Sequence, residues 1–358
     1  MNKFAFVDKL SQQSVIERLE QYKRGRPLTP IVVEFDSTTE CNLACEHCIT
    51  KELLGSLFFN GQELRDYADA LHRMGTKAII LTGGGEPLMN PYIDDFIARL
   101  KAYRFQIGLI TNGTLLHEHL DSLRDLDWVR LSMDASTDET FFKMKGRRAF
   151  EDVLRNIAAY AKVKGRCSLG YSFLIVHNEH VSNIQELAAA ARIAKGLGCD
   201  YFEIKLQFDD VAYNHPDIPL GKDAMDAIAE QIALAEALAA PGFAVLTNLN
   251  VKRLFRPAEY PDQLRMEQCY ICHLRTVITP HGLFTCSYHR GHRPMCYGES
   301  RGADFEAVWH AQTRLDMVQQ MDPQACCVNC ARGPANVRII EMLGQDQLAG
   351  EKDYDLFI

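Results

Sequence analysis

The residues best suited to chemistry in this sequence are its cysteines, of which there are twelve in 358 residues. Cys41, Cys45 and Cys48 form a C-x3-C-x2-C motif. Three thiolates on one short loop can bind three irons of a four-iron cluster and leave the fourth iron open for chemistry. His47 could add a fourth ligand for a structural zinc ion, but it is adjacent to Cys48 and strained toward the same ion. The spacing therefore favours a catalytic iron–sulfur site over a structural zinc site.

A second group of seven cysteines lies between residues 269 and 330. Its members are Cys269, Cys272, Cys286, Cys296, Cys326, Cys327 and Cys330. The first residues of the chain lack the apolar stretch of a signal peptide, so we expect a cytoplasmic protein with few disulfides. Clustered cysteines then predict metal ligands or reactive thiols. Cys167 and Cys199 stand alone, and we expect both in the core.

The elements that must position these cysteines follow a regular order. Between residue 30 and about residue 240, apolar strands alternate with amphipathic helices in six successive β-α units. The predicted strands cover 31–35, 77–81, 106–110, 128–133, 168–176 and 201–208. The predicted helices cover about 64–74, 90–100, 116–126, 150–164, 184–197 and 222–239. This order predicts a parallel sheet with right-handed crossovers, in which the first cysteine motif directly follows the first strand.

The fourth and sixth strands alternate between apolar and polar residues. The polar positions are Arg130, Ser132 and Asp134 in one strand and Glu203, Lys205 and Gln207 in the other. A doubly wound parallel sheet would be apolar on both faces, whereas a barrel that holds a polar substrate would show this alternation. We therefore predict an α/β fold with an incomplete (β/α)6 TIM-like barrel and functional groups at the carboxyl ends of its strands. Edge strands with one solvated face are the alternative.

Beyond residue 240, helical and strand periodicity weakens while prolines, glycines and cysteines increase. We predict an N-terminal extension at 1–30, a partial barrel at 31–245 and a small irregular α+β iron–sulfur domain at 246–358. The net charge of −8 and the absence of a long basic run argue against a nucleic-acid partner. No apolar stretch approaches the length of about 20 residues that spans a membrane, so no membrane partner is expected.

The first cysteine loop resembles the signature of the radical S-adenosylmethionine (radical SAM) superfamily. In that family an aromatic residue precedes the third cysteine, where His47 stands, and a GGE turn follows the second strand, where Gly83-Gly84-Gly85-Glu86-Pro87 occurs. The resemblance implies that Cys41, Cys45 and Cys48 hold a [4Fe-4S] cluster whose open iron binds SAM. It also implies SAM contacts from His47, Gly83, Gly84, Gly85, Glu86, Asn112, Ser132, Asp134 and, more weakly, Ser172.

The same resemblance implies a reaction type. The reduced cluster would pass one electron to SAM, and the resulting 5′-deoxyadenosyl radical would take a hydrogen atom from an unactivated C–H bond. A flavodoxin- or ferredoxin-type protein would supply the electron. The protein would position the cofactor and its substrate and exclude water.

The C-terminal cysteines resemble the SPASM and twitch extensions of radical SAM enzymes. An I-x-P-x-G hairpin at 278–282 and Trp309 support this resemblance. It implies a second [4Fe-4S] cluster on Cys269, Cys286, Cys327 and Cys330, with Cys272 and Cys326 as alternative ligands. The spacing from Gly282 to Cys286 is one residue shorter than usual, which leaves the register open. A four-cysteine zinc site is the alternative.

The expected function is oxidation or epimerisation of a polar, carbohydrate-like small metabolite. Only about 40 residues precede Cys41, which lowers the expectation of a separate peptide-recognition domain. Weak candidates for catalytic residues are Glu203, Lys205, Cys272 and Cys296. Two alternatives remain: a SPASM-type maturase of a peptide or protein side chain, and a non-enzymatic iron–sulfur electron carrier or zinc scaffold.

Overall fold

The computed structural model describes residues 6–207, 221–256, 259, 266–326 and 330–358. Ten strands lie within these residues. They are β1 (Val32–Asp36), β2 (Ala78–Thr82), β3 (Gln106–Thr111), β4 (Trp128–Ser132), β5 (Ser168–Ile175), β6 (Tyr201–Leu206), β7 (Ala244–Thr247), β8 (Arg275–Thr279), β9 (Gly282–Phe284) and β10 (Cys296–Gly298).

The described helices alternate with the strands as far as β7 and then become shorter. They are α1 (Gln13–Lys23), α2 (Gly61–Arg73), α3 (Ile93–Ala102), α4 (Leu120–Leu123), α5 (Asp138–Lys145), α6 (Phe150–Val163), α7 (Leu187–Gly196), α8 (Lys222–Glu236), α9 (Leu249–Phe255), α10 (Ile271–Leu274), α11 (Phe305–Trp309), α12 (Gln312–Gln320), α13 (Pro323–Cys326) and α14 (Gly333–Leu343). Within the described parts of the chain, no helix combines the length and apolarity that crossing a bilayer requires.

The strands form one sheet in the order β10-β9-β8-β1-β2-β3-β4-β5-β6-β7. Strands β1 to β7 are parallel to their neighbours, and β8 also pairs in parallel with β1. The β8–β9 and β9–β10 pairs are antiparallel. Strands β10 and β7 end the order without pairing with each other, so the sheet is open and forms the predicted partial barrel. The C-terminal hairpin thus extends the same sheet beside β1.

The two faces of the sheet have different environments. On the outer face, residues such as Phe35 and Leu131 belong to a large apolar core that includes side chains of α2, α3 and α6. On the inner face, Val32, Ala78 and Ile80 join a second apolar cluster with residues of α1, of α14 and of 356–358. This second cluster fills the interior near the amino ends of the strands.

The interior polar face expected from β4 and β6 is confirmed. Arg130 Nη1 lies 3.0 Å from Glu203 Oε2, although β5 runs between their strands. Gly170 occupies the facing position on β5, opposite Arg130 in the strand register, so no side chain separates the pair. Lys205 Nζ lies 3.4 Å from the same oxygen of Glu203. The polar residues that alternate with apolar ones in β4 and β6 therefore form ion pairs inside the barrel rather than a solvent-exposed edge.

Two helix predictions need correction, and one further helix was missed. The segment at 116–126 forms only a single turn at Leu116–Glu118 and the four-residue α4, and neither has a side-chain cap. The helix predicted at about 90–100 begins at Ile93, and the side-chain amide of Asn90 donates instead to the carbonyls of Ser37 and Phe59. Helix α5 was not predicted. Phe208, at the end of the predicted sixth strand, lies outside the described residues.

Candidate active site

The first cysteine loop leaves the carboxyl end of β1 and lies against the end of α5. Cys41, Cys45 and Cys48 form no disulfide, and all three residues are partly buried. The backbone N–H of Ala44 donates to the carbonyl of Lys145 at 3.0 Å. Gly146 follows with φ +70°, and a Cβ there would come within 2.8 Å of the Ala44 carbonyl. Glycine is therefore needed at this position both for the backbone angle and for the close approach of the loop.

The glycine turn after β2 packs directly on the segment that leads into the cysteine loop. A Cβ on Gly85 would come within 2.0 Å of the Glu40 carbonyl, and one on Gly83 within 1.7 Å of the Gly85 carbonyl. The backbone N–H of Gly85 donates to Thr38 at 3.1 Å. No side chain can occupy these two positions without moving the backbone. The turn consequently presents bare backbone beside the cysteines.

Glu86 holds the glycine turn in place through hydrogen bonds of its carboxylate. Its carboxylate accepts hydrogen bonds from the Thr111 hydroxyl at 2.6 Å, from the Asn112 N–H at 2.8 Å and from the Leu88 N–H at 3.2 Å. Burial raises the pKa of Glu86, and these donors oppose the rise. Glu86 therefore ties the turn after β2 to the end of β3.

Asn112 connects the end of β3 to the cysteine loop. Its side-chain amide donates to Asn42 Oδ1 at 2.8 Å, and the amide of Asn42 donates to the Thr114 hydroxyl at 2.8 Å. The Thr114 hydroxyl closes the ring by donating to Asn112 Oδ1 at 2.6 Å. The predicted residue Asn112 thus lies beside the motif, and Asn42 and Thr114 are neighbours that the sequence did not single out.

Asp134 and Ser132 lie at the end of β4 and contact a lysine that the sequence analysis missed. Asp134 has φ +61°, accepts the Leu174 N–H at 2.7 Å through Oδ1 and pairs through Oδ2 with Lys145. The Lys145 ammonium also donates to the Ser132 hydroxyl at 3.2 Å. Ser172 joins the group through its carbonyl, which accepts the N–H of Asp134 at 3.4 Å.

Lys145 brings a buried positive charge to the cysteine loop. Burial lowers its pKa, but the charges of Asp134 and Cys45 outweigh this effect and hold the pKa above its usual value. Burial in turn raises the pKa of Cys45, and Lys145 opposes that rise. The capping signals of α5, Thr137 at its start and Gly146 at its end, could have revealed this helix from sequence.

His47 lies beside the end of β6. The side-chain amide of Gln207, just beyond β6, lies 3.1 Å from His47 Nδ1. Glu203 and Lys205 precede Gln207 on the same interior face. Burial lowers the pKa of Lys205, and the nearby Arg130 charge adds to this effect. The cysteine loop is thereby connected to β3, α5 and the end of β6.

The C-terminal cysteines come together from distant parts of the chain. The thiols of Cys269 and Cys272 lie 3.2 Å apart, and the Cys326 thiol lies 2.9 Å from His289 Nε2. Cys286 is near enough for Cys326, Cys330 and Cys269 to raise the pKa of its thiol, after burial as the largest cause. Burial also raises the pKa of Cys326 to about 12.

Both alternative ligands from the sequence, Cys272 and Cys326, therefore belong to this group, whereas Cys327 lies outside the described residues. Cys296 contacts the carbonyl of Gly298 at 3.4 Å in its own strand. Cys167 and Cys199 lie in the apolar core, as predicted. Among the described side chains, no three of His, Cys, Asp and Glu converge on a position for one metal ion.

The donor sets fit iron–sulfur groups in their chemistry. Each site offers at least three cysteines, and no described cysteine is engaged in a disulfide. Burial holds the pKa of Cys41 at about 11, so cluster binding must displace thiol protons. The Lys145 charge beside Cys45 would favour the thiolate that a cluster requires.

The sequence of this chain matches a protein family and several individual proteins. Residues 36–191 match the radical SAM superfamily. A probable GTP 3′,8-cyclase of Pyrococcus horikoshii is 32% identical over 142 residues, which cover 39% of this chain and 45% of that protein. The chain thus matches less than half the length of this relative. Mycofactocin maturase MftC of Mycobacterium ulcerans is 23% identical over 322 residues, which cover 87% of this chain and 83% of that protein.

Solved structures share the fold. Streptococcus suis SuiB bound to precursor peptide SuiA superposes with a TM-score of 0.64 at 13% identity, covering 97% of this chain and 80% of SuiB. Native anSMEcpe with bound AdoMet superposes with a TM-score of 0.59 at 14% identity, covering 90% of this chain and 93% of that chain. The family match and the cysteine loop packed against its glycine turn together identify a radical SAM domain within residues 36–191, and radical SAM proteins bind a [4Fe-4S] cluster and SAM.

Proposed function

We propose that this chain is a radical SAM maturase that modifies a side chain of a peptide or protein. The observation that carries the proposal is the extent of the similarity to MftC, a maturase by name, which covers 87% of this chain. The cyclase similarity covers 39% of the chain. SuiB, which superposes over 97% of the chain, was solved with a precursor peptide. The short segment before Cys41 argued against a separate peptide-recognition domain. The extent of these similarities weakens that argument against a peptide substrate.

The first cysteine loop would hold the catalytic group. Cys41, Cys45 and Cys48 would bind the [4Fe-4S] cluster, and the bare backbone at 83–85 would face SAM. When bound, this pair of cofactors supplies hydrogen-atom abstraction from an unactivated C–H bond. The protein's own part is to hold the loop and to exclude water from the barrel. The Thr50 hydroxyl holds the loop by donating to the Gly84 carbonyl, and the Lys145 carbonyl does so by accepting the Ala44 N–H.

The remaining predicted contacts have the following proposed roles. Glu86 shapes the glycine turn, and Asn112 fixes Asn42 in the loop. Asp134 and Ser132 act chiefly by holding Lys145, because both oxygens of Asp134 are already engaged. His47, Gly84 and Ser172 remain proposed SAM neighbours at the carboxyl ends of the strands.

The C-terminal cysteines would hold an auxiliary [4Fe-4S] cluster. Cys269, Cys272, Cys286, Cys326 and Cys330 supply more than the four thiolates that such a cluster needs. A flavodoxin- or ferredoxin-type protein would deliver electrons. Because Cys272 contacts Cys269, we assign it to this site rather than to hydrogen donation.

A second candidate function is oxidation or epimerisation of a polar small metabolite. The ion pairs of Arg130 and Lys205 with Glu203 favour it, because a charged interior suits a polar substrate. This function would use the same first site. It differs from the first proposal only in the substrate.

The two candidates can be separated directly. Anaerobically reconstituted enzyme with dithionite and SAM is incubated with each short peptide encoded beside its gene, and intact peptide mass and 5′-deoxyadenosine are measured. We expect one peptide to change in mass and to raise 5′-deoxyadenosine formation several-fold. The variant with Cys41, Cys45 and Cys48 all replaced by alanine is the control. If every peptide keeps its mass while a sugar or aminocyclitol is converted, the maturase proposal is wrong.

A further inference from the structure

A buried cluster of charges lies inside the barrel next to the C-terminal cysteines. Its centre is Glu34, on the inner face of β1 and only 6% exposed. Glu34 accepts Arg275 Nε at 3.1 Å, Arg290 Nη2 at 2.9 Å and Arg332 Nη2 at 3.1 Å. The three arginines are at least nine-tenths buried. One carboxylate therefore gathers three guanidinium groups away from water.

Each of the three arginines follows a C-terminal cysteine within four residues. The pairs are Cys272 with Arg275, Cys286 with Arg290, and Cys330 with Arg332. The arginines lie 241, 256 and 298 residues from Glu34 in the sequence. Three segments that are separate in the chain thus attach to one oxygen pair on β1.

Among the side chains that meet here, positive charges outnumber negative charges by one, and Arg275 also donates to the oxygen of Ile358. Arg290 Nε also pairs with Asp36 Oδ2 at 2.9 Å, so three guanidinium groups face two carboxylates among these side chains. Among the described residues, the further partners of Arg332 are neutral: the Ser287 hydroxyl at 2.9 Å, the Tyr288 ring at 5.4 Å and the Phe6 ring at 5.8 Å. Arg332 is also within electrostatic reach of the thiols of Cys286 and Cys330. Its charge is therefore available to an anionic group on those cysteines.

We propose that Glu34 is a positioning residue for the C-terminal cysteine site: it holds the three cysteine-bearing segments together through their arginines, which in turn supply positive charge to the anionic iron–sulfur cluster bound there. The inference rests on the auxiliary cluster of the proposed function. Its physical basis is the cost of unpaired buried charge. Without Glu34 the three guanidinium groups repel one another, and the segments that carry the cysteines separate.

The first test isolates the C-terminal cluster by replacing Cys41, Cys45 and Cys48 with alanine. In this background Glu34→Gln keeps the side-chain shape but removes the charge. Glu203→Gln is the matched control, because Glu203 is also a barrel carboxylate paired with cations, and its described partners Arg130 and Lys205 lie on β4 and β6 rather than on a segment that carries a C-terminal cysteine. We expect Glu34→Gln to lower iron per chain and the cluster EPR signal at least three-fold, and Glu203→Gln to change neither.

The second test uses the midpoint potential of the remaining cluster. Loss of a negative charge in Glu34→Gln should raise the potential, whereas loss of a positive charge in Arg332→Gln should lower it. Arg332→Gln also leaves Glu34 paired with two arginines, so it decides the question if circular dichroism shows that Glu34→Gln does not fold.

The inference is overturned if Glu34→Gln holds its cluster as well as Glu203→Gln does and neither potential moves in the expected direction. Its failure differs from failure of the proposed function. If the parent background itself binds no iron, the auxiliary cluster is absent and the proposed function loses that part. If the parent binds iron and the variants match it, only the role of Glu34 is wrong.

Discussion

The hydroxyl of Thr50 donates a hydrogen bond to the carbonyl of Gly84 at 3.1 Å, joining the end of the cysteine loop to the glycine turn. The same hydroxyl lies 3.2 Å from the Cys48 thiol. Thr50 is 5% exposed and Gly84 is buried, so the Gly84 carbonyl has little access to water as a replacement partner. This contact connects the proposed cluster ligand to the proposed SAM-binding backbone.

We expect Thr50→Val to leave the Gly84 carbonyl unsatisfied and to lower the free energy of unfolding by about 1 kcal/mol. SAM affinity of the reconstituted enzyme should fall several-fold, because the turn loses its tie to the loop. Chemical denaturation and equilibrium dialysis measure the two effects. Thr50→Ser keeps the hydroxyl and should behave like the parent. Equal SAM affinity in both variants would contradict this role.

A second prediction concerns the two metal sites. Reconstituted parent protein should contain about eight irons per chain if both sites hold four-iron clusters. Replacing Cys41, Cys45 and Cys48 with alanine should halve the iron and abolish 5′-deoxyadenosine formation, while a cluster signal persists in EPR or Mössbauer spectra. Reductive SAM cleavage by this variant would refute the assignment of the loop. Iron near four per parent chain, with tightly held zinc, would refute the auxiliary cluster.

A third prediction separates two roles of Lys145. Lys145→Met leaves the Asp134 carboxylate buried without its cation, so the free energy of unfolding should fall by about 3 to 5 kcal/mol. The double variant with Asp134→Asn removes both charges and should regain most of this stability. We expect the double variant to bind the first cluster poorly all the same, because the charge beside Cys45 is gone. Normal iron content in the stable double variant would show that Lys145 is only structural.

A fourth prediction follows from Asp36, which is fully buried at the end of β1. Burial raises its pKa to about 6, although the Arg290 charge opposes the rise. A carboxyl whose pKa is raised by folding stabilises the protein below its unfolded pKa, and that contribution is lost as pH rises through the folded value. The stability advantage of the parent over Asp36→Asn should therefore shrink between about pH 4 and about pH 6.

This advantage is measured by chemical denaturation of both proteins without metal and under reducing conditions. The size of the change should be about 2 to 3 kcal/mol. Above pH 7 the difference between the two proteins should be constant. A constant difference from pH 4 to pH 7 would mean that Asp36 does not titrate in this range.

Local sequence patterns were sufficient for much of the barrel. The six predicted strands overlap β1 to β6, because apolar runs and helical periodicity are properties of neighbouring residues. The sequence also predicts that the cysteine loop lies beside the glycine turn, because the two segments directly follow β1 and β2, which are neighbouring parallel strands. Helix α5 was missed because its apolar face is short, and Lys145 was missed with it.

The sequence by itself determined the cysteine motif, the glycine turn and the alternating faces of β4 and β6, since each depends on residues close together in the chain. Only the tertiary structure decided that β8 lies beside β1 and that Arg275, Arg290 and Arg332 meet at Glu34. Those contacts join residues more than 240 positions apart. These contacts form because the buried carboxylate of Glu34 needs cations beside it. The packing of the chain decides which segments supply those cations.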